Sequence, residues 1–175
     1  RPGQLNLASA GQGSGTHFAG EMFKHAAGID VVHVPYKGIP EATNDLIAGR
    51  VQLFMAPLAS SVSLIRDGRM RALGVTSPNR SNIFPDIPTI EEAGLKDFRW
   101  DSWGAIFAPA KTPRAVVDKL NREMTNALRH PEVQKTMRNL GVEPAPTTPA
   151  ELDRFVVQDL AMVAKLAKLA GIPQE

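Results

Sequence analysis

At 175 residues the chain is long enough to bury a sizeable core, as one domain or as two small lobes. Apolar residues make up 43% and charged residues 22%, while a net charge of +2 with both signs scattered and an aromatic share of 6% exclude a basic stripe or a stacking platform for nucleic acid. The absence of cysteine excludes disulfides, thiolate catalysis and zinc–thiolate sites, and fits the periplasm and the cytosol equally.

No run approaches the ~20 apolar residues of a membrane span. No signal peptide is present, and the chain opens on Arg1-Pro2-Gly3 just before a strand-like run, so the expectation is that the natural N-terminus lies upstream. The run Leu5-Asn6-Leu7 feeds a turn, Ala8-Ser9-Ala10-Gly11-Gln12-Gly13-Ser14-Gly15-Thr16-His17, and residues 18–27 read as the helix leaving it. Three glycines within five residues let the backbone approach a ligand closely. The helix start leaves N–H groups unpaired, with the positive end of the dipole facing the turn. Such a turn is an anion site, to which Ser9, Ser14 and Thr16 add hydroxyls. It lacks the third glycine of a dinucleotide fingerprint, where Thr16 stands, and the Gly-Lys-Ser/Thr of a P-loop. It also lacks the glycine of a nucleophile elbow, where Gln12 stands. A plain Gly/Ser-rich connection remains the alternative.

Further strand-like runs fall at 31–34, 51–55 and 72–76, with helical stretches between them at 41–48, after Pro40, and at 61–67, before Gly68. Strands alternating with helices at intervals of about twenty residues predict an α/β fold with a parallel sheet. The loops at the carboxyl ends of those strands then share one edge, where ligands bind. They are 9–17, Pro35-Tyr36-Lys37-Gly38, Ala56-Pro57-Leu58-Ala59-Ser60-Ser61 and 77–80. The first three contain no acid, which suits an anionic ligand and argues against a carboxylate pair in acid–base catalysis. Thr89 and Glu92 have capping-box spacing for a short helix ending near Gly94. Trp100 and Trp103 read as core packing, or else as a crossover closing part of a cleft, and 105–108 reads as a strand.

From Lys111 the pattern changes to long helices. Thr112-Pro113 is expected to cap one with an apolar stripe of Val116, Val117, Leu120, Met124 and Leu128. His130-Pro131 breaks it, and a second, with Val133, Met137 and Leu140, ends at Gly141. The capping box Thr148–Glu151 opens a third, with Leu152, Phe155, Val156, Leu160, Val163, Leu166 and Leu169, ending at Gly171. All three stripes are expected to face the core. No cofactor is implied and no metal site is expected, since the four histidines lack ligand spacing apart from His17 and Glu21, one helical turn apart. A Ser14 nucleophile with His17 as base has no orienting acid. Lys37 reads either as a charge partner for an anion or as a solvated turn lysine.

The order of motifs resembles one family: the Gly/Ser turn with His17, then His33-Val34-Pro35-Tyr36-Lys37-Gly38, then Gly68-Arg69-Met70-Arg71-Ala72-Leu73-Gly74-Val75-Thr76-Ser77 and Arg80. Phe84-Pro85-Asp86-Ile87-Pro88-Thr89-Ile90-Glu91-Glu92-Ala93-Gly94 and Ala108-Pro109-Ala110-Lys111-Thr112-Pro113 continue it. Over essentially its whole length the chain is similar to the Bug family, the extracytoplasmic solute receptors of tripartite tricarboxylate transporters. The resemblance implies an α/β periplasmic binding protein fold, type II-like, with two lobes around a cleft. It also implies a periplasmic location, a small carboxylate ligand, no catalysis, and delivery to membrane permease subunits.

By the same resemblance, residues 1–102 form most of the second lobe and 103–175 return to the first lobe with its closing helices. Family members carry a long portion before the position of Arg1, so the chain is expected to be a C-terminal part holding one wall of the cleft. Ser9, Ala10, Gly11, Gly13, Ser14, Thr16 and His17 would hold one carboxylate. Tyr36, Lys37 and Gly38 would flank it, and Ala56, Pro57, Leu58 and Ser60 would line the specificity side. Members that bind amino acids often carry an Asp where this chain has Ala56, so a ligand without an amino group is expected: a dicarboxylate, a hydroxy acid or an aromatic acid. The alternative is a sensing or interaction module for a membrane or kinase partner. In either case exposed lobe surface would invite dimerisation.

Overall fold

The structure is a computed structural model that describes residues 2–169 and 171; the side chain of Leu169 lies outside the described residues. The elements run β1 (Asn6–Ser9), α1 (Gly15–Ala27), β2 (Val32–Pro35), α2 (Ile39–Ile47), β3 (Leu53–Phe54), α3 (Leu58–Arg66), α4 (Arg114–Arg129), α5 (Pro131–Asn139) and α6 (Pro149–Leu169). The three strands form a parallel sheet in the order β2-β1-β3, as the alternation of strands and helices predicts.

Register decides what each face of the sheet meets. Leu7 lies opposite His33 and Leu53, and Ala8 opposite Val34 and Phe54. Side chains alternate across a strand, so Leu7, Ser9 and His33 share one face, and Ala8, Val34 and Phe54 share the other. The second face packs on α2, where Ala8, Ala42 and Val51 are buried with Val34, Tyr36, Leu46 and Phe54 against them. The first face receives α1. Helix and strand approach so closely there that a Cβ on Gly20 would stand 2.5 Å from Leu7 Cδ2. Because all three strands are parallel, the loops 10–14, 36–38 and 55–57 leave the sheet at one edge.

Helix α1 starts three residues before the expected Phe18, because Ser14 caps it. It ends at Gly28, whose left-handed backbone (φ 61°) lets its N–H reach His25 O and the Ile29 N–H reach Lys24 O. Two expected strands do not form. The 72–76 run stays out of the sheet: Val75 bridges Thr89 instead, donating to Pro88 O and accepting from the Ile90 N–H, both at 2.9 Å. Residues 105–108 have no strand alongside them among the described residues, and Ile106 and Phe107 are 72% and 65% exposed. Both capping boxes form, with the Thr89 N–H on Glu92 Oε2 at 2.8 Å and the Thr148 N–H on Glu151 Oε2 at 2.7 Å. Only the second opens a helix; the first supports a single turn that ends at Gly94, where φ is 114°. Helix α4 is preceded by Pro113, not capped by Thr112.

The largest departure concerns the three long stripes. Helices α4 and α5 bury no side chain, and Val116, Leu120, Leu140, Phe155 and Leu160 are exposed. Both faces of the small sheet are already taken by α1 and α2, so α4, α5 and the outer face of α6 have little but one another to cover them. Ala167 of α6 is buried, on the helix that packs against α1. Trp103 is 41% exposed and packs edge-on against Phe155, with ring centroids 5.1 Å apart. Trp100 is half-buried and donates its backbone N–H to Thr76 O.

The end of α5 is fixed to the body of the molecule at Gly141. Its backbone is left-handed (φ 71°), and an added Cβ would stand 2.8 Å from Leu58 Cδ2 and 3.0 Å from Ile83 Cδ1. Gly141→Ala is therefore expected to destabilise the chain by about 1–3 kcal/mol, combining backbone strain with overpacking. Urea unfolding would show a lower midpoint at unchanged slope; an unchanged midpoint would contradict this packing.

Candidate functional site

The turn between β1 and α1 is built from the strand outward. Leu7, Ala8 and Ser9 are buried, and Ser9 Oγ accepts from the Gly11 N–H at 3.2 Å while lying 2.7 Å from His33 Nε2. Beyond it the hydroxyls form a directed chain. The Ala10 N–H donates to Thr16 Oγ1 at 2.8 Å, Thr16 Oγ1 is 2.9 Å from Ser14 Oγ, and Ser14 Oγ donates to Gly11 O at 2.7 Å. Each hydroxyl carries one proton, so the proton of Thr16 points to Ser14. Ser14 Oγ also accepts from the His17 N–H at 3.2 Å, the N-cap of α1.

His17 is 4% exposed and closes the turn with its ring. Nδ1 accepts from the Gly13 N–H at 3.1 Å, which places the proton of the neutral ring on Nε2, 4.0 Å from Glu21 Oε1. The His17 ring stacks on that of His33 with centroids 3.9 Å apart and planes 11° from parallel. Burial lowers the pKa of both imidazoles below the ordinary 6.5. Glu21 opposes the shift, Lys24 adds to it, and His17 pushes His33 down further. Burial thus favours the neutral form of both rings.

Gly11 lies under the neighbouring loop. Its backbone has φ 129°, a Cβ there would stand 3.1 Å from Tyr36 O, and the Tyr36 N–H donates to Ser9 O at 3.0 Å. The first two loops therefore abut. At the start of α1 the N–H groups of Gly15 and Thr16 have no acceptor among the described residues, and the first turn holds no acid. That arrangement suits an anion.

The structure places the sequence-predicted residues unequally. Ser9, Ala10, Gly11, Gly13, Ser14, Thr16 and His17 form one continuous turn, but the hydroxyls of Ser9, Ser14 and Thr16 and the N–H groups of Ala10, Gly11, Gly13, Ser14 and His17 are engaged inside it, which leaves the N–H groups of Gly15 and Thr16 for an anion. The Tyr36 hydroxyl donates to Asp45 Oδ2 at 2.8 Å, and Arg50 holds the other oxygen of the same carboxylate. Lys37 is exposed, and Gly38 precedes α2. Ala56 and Pro57 leave β3 at the same edge, Leu58 packs at Gly141, and Ser60 Oγ turns back to Pro57 O at 2.8 Å.

Sequence reading missed His33. Only the register, which sets it beside Leu7 on the α1 face, brings it to Ser9 and His17. With Glu21 these rings make a cluster of metal-ligating types whose ligand atoms lie within 4.8 Å of one another. Stacked rings hold their in-plane lone pairs in nearly parallel planes, whereas a tetrahedral cation site requires them to converge on one point. His17 Nδ1 and His33 Nε2 are moreover engaged by Gly13 and Ser9.

If the hydroxyl chain shapes the turn, Thr16→Val leaves the Ala10 N–H and Ser14 Oγ without their partner. The expected loss is about 1–3 kcal/mol in denaturant unfolding, whereas Thr16→Ser, which keeps the hydroxyl, is expected to cost less than about 1 kcal/mol.

Comparison with known proteins places this geometry. Residues 1–172 match the family model described as "Tripartite tricarboxylate transporter family receptor". A "UPF0065 protein in tcbD-tcbE intergenic region" of Pseudomonas sp. (strain P51) is 41% identical over 152 residues, covering 86% of this chain and 45% of its own length. Among solved structures, an R. palustris protein with adipate matches with a TM-score of 0.94 at 35% identity, over 98% of this chain and 57% of that one. The periplasmic binding protein BugD matches at 0.88 and 34%, over 100% and 59%. MatC from Rhodopseudomonas palustris, with bound malate, matches at 0.83 and 29%, over 94% and 57%. The chain thus spans about half the length of the relatives it matches, and its parallel α/β architecture is part of a periplasmic binding protein fold. This chain belongs to the tripartite tricarboxylate transporter receptors, the Bug/TctC family.

Proposed function

We propose that this chain forms one wall of a periplasmic receptor that captures a small carboxylate lacking an amino group and passes it to the membrane permease subunits of a tripartite transporter. Its role is binding, with no catalysis. Residues 1–102 supply the ligand-binding lobe, and 103–175 return to the lobe opposite. The observation that carries this reading is the start of α1, where two backbone N–H groups without acceptors among the described residues stand beside a glycine turn with no acid in the first helical turn. Proteins of this architecture that are solved with adipate and malate support the ligand class.

The preference against an ammonium rests on the third loop. Ala56 and Pro57 offer it no counter-ion; of the acids near the other two loops, Glu21 is paired with Lys24 at 2.8 Å and Asp45 with Arg50, while Glu41 stands in the first turn of α2 beside Gly38. An ammonium enclosed there without a partner would be costly.

A thermal-shift comparison of adipate, malate and aspartate tests this reading. A carboxylate at a hundredfold excess over its dissociation constant stabilises the native state by ~2.7 kcal/mol, or roughly 5–10 °C for a chain of this size. Adipate or malate is expected to raise the midpoint and aspartate to leave it unchanged. A larger shift with aspartate would overturn the ligand class, and no shift with any carboxylate would overturn the binding role of this wall.

A further inference from the structure

We propose that the stacked His17–His33 pair positions the glycine turn and holds it in its ligand-accepting form only while both rings are neutral. The inference rests on the carboxylate-binding reading of the turn and adds a control over it. His17 Nδ1 serves as acceptor for the Gly13 N–H at 3.1 Å. A proton arriving on Nδ1 turns that acceptor into a donor facing a donor, and the contact must open. His33, 3.9 Å away in a parallel plane, then faces a cation across the stack, and its own link to Ser9 Oγ anchors the other end of the same turn.

The charges around the pair do not cancel this effect. On α1, Glu21 Oε1 lies 4.0 Å from His17 Nε2 and would welcome a cation, but Lys24 already holds that carboxylate oxygen at 2.8 Å. On β2 the facing titratable group is His33 itself, and β1 contributes the neutral hydroxyl of Ser9. Helix α6 packs on α1, and among the described residues it brings no charge to bear on either ring. Burial favours the neutral rings in the closed turn, so proton uptake accompanies opening. Opening is therefore favoured as pH falls below 6.5, the ordinary imidazole value, and the closed turn keeps its full advantage above it.

Nitrogen-15 NMR of the chain across this range reads the device without ligand. The expected result is a bare Nδ1 on His17 at neutral pH and a Gly13 amide resonance that moves with the same midpoint as the His17 ring. His17→Asn keeps a side-chain acceptor near the Nδ1 position and cannot take up the proton, so its Gly13 amide is expected to be flat with pH. Calorimetric titration with adipate supplies the second readout. Affinity of the unaltered chain is expected to fall about threefold or more between pH 7.5 and 5.0 beyond the fall seen in His17→Asn, since protonation of the ligand is common to both.

A Gly13 amide that ignores the His17 titration, or an equal loss of affinity in both chains, would overturn the proposal. A Gly13 amide that follows His17 in a chain that binds no carboxylate at any pH would support imidazole control of the turn and overturn the carboxylate reading instead.

Discussion

The contact on which the site depends is the one between Ser9 Oγ and His33 Nε2, 2.7 Å apart with Ser9 fully buried. It ties the last residue of β1 to the middle of β2, in the place where the chain must leave the sheet and start α1. From Ser9 the polar groups run outward without a gap, through Gly11, Ser14 and Thr16 on one side and His33, His17 and Gly13 on the other. A buried polar network is stable only when every member has a partner. Among the described residues, no buried side-chain nitrogen or oxygen is left without one. The result is a division of labour in which side chains shape the turn and the N–H groups of Gly15 and Thr16, at the start of α1, are left without acceptors among the described residues.

The sheet makes that division possible. Parallel strands alternate their side chains between α1 and α2, so one face carries the aliphatic cluster around Ala8, Ala42 and Val51 while the other carries Leu7, Ser9 and His33. Gly20 lets α1 approach Leu7 closely enough for His17 to lie flat on His33. An unstacked His17 would have to surrender either the Gly13 N–H or its shelter from water. The shape of the turn and helix packing are here one constraint, because the same helix start that leaves two N–H groups without acceptors among the described residues is held by the ring that packs beneath it.

The long helices tell a different physical story. Their stripes have the spacing of core-facing helices, and yet Leu120, Phe155 and Leu160 are exposed on a chain that spans about half the length of its relatives. Apolar periodicity reports that a face has a partner somewhere and does not say where that partner is. The 105–108 run is a parallel case: strand-like residues without a strand alongside among the described residues, Ile106 and Phe107 included, do not make a sheet.

Local chemistry was legible in the sequence. The Gly/Ser turn between a strand and a helix, the parallel alternation, the two Thr–Glu capping boxes and the order of motifs that marks the Bug/TctC family all depend on residues close together in the chain. Such signals act through backbone geometry and short-range hydrogen bonds, which sequence spacing specifies directly. Tertiary structure alone decided the rest. It set His33 against Ser9 across 24 residues, turned the Ser9, Ser14 and Thr16 hydroxyls inward, gave the Tyr36 hydroxyl to Asp45, and left 72–76 outside the sheet. Those outcomes depend on strand register and on competition among donors for the same acceptors, which are settled only once distant segments share a surface.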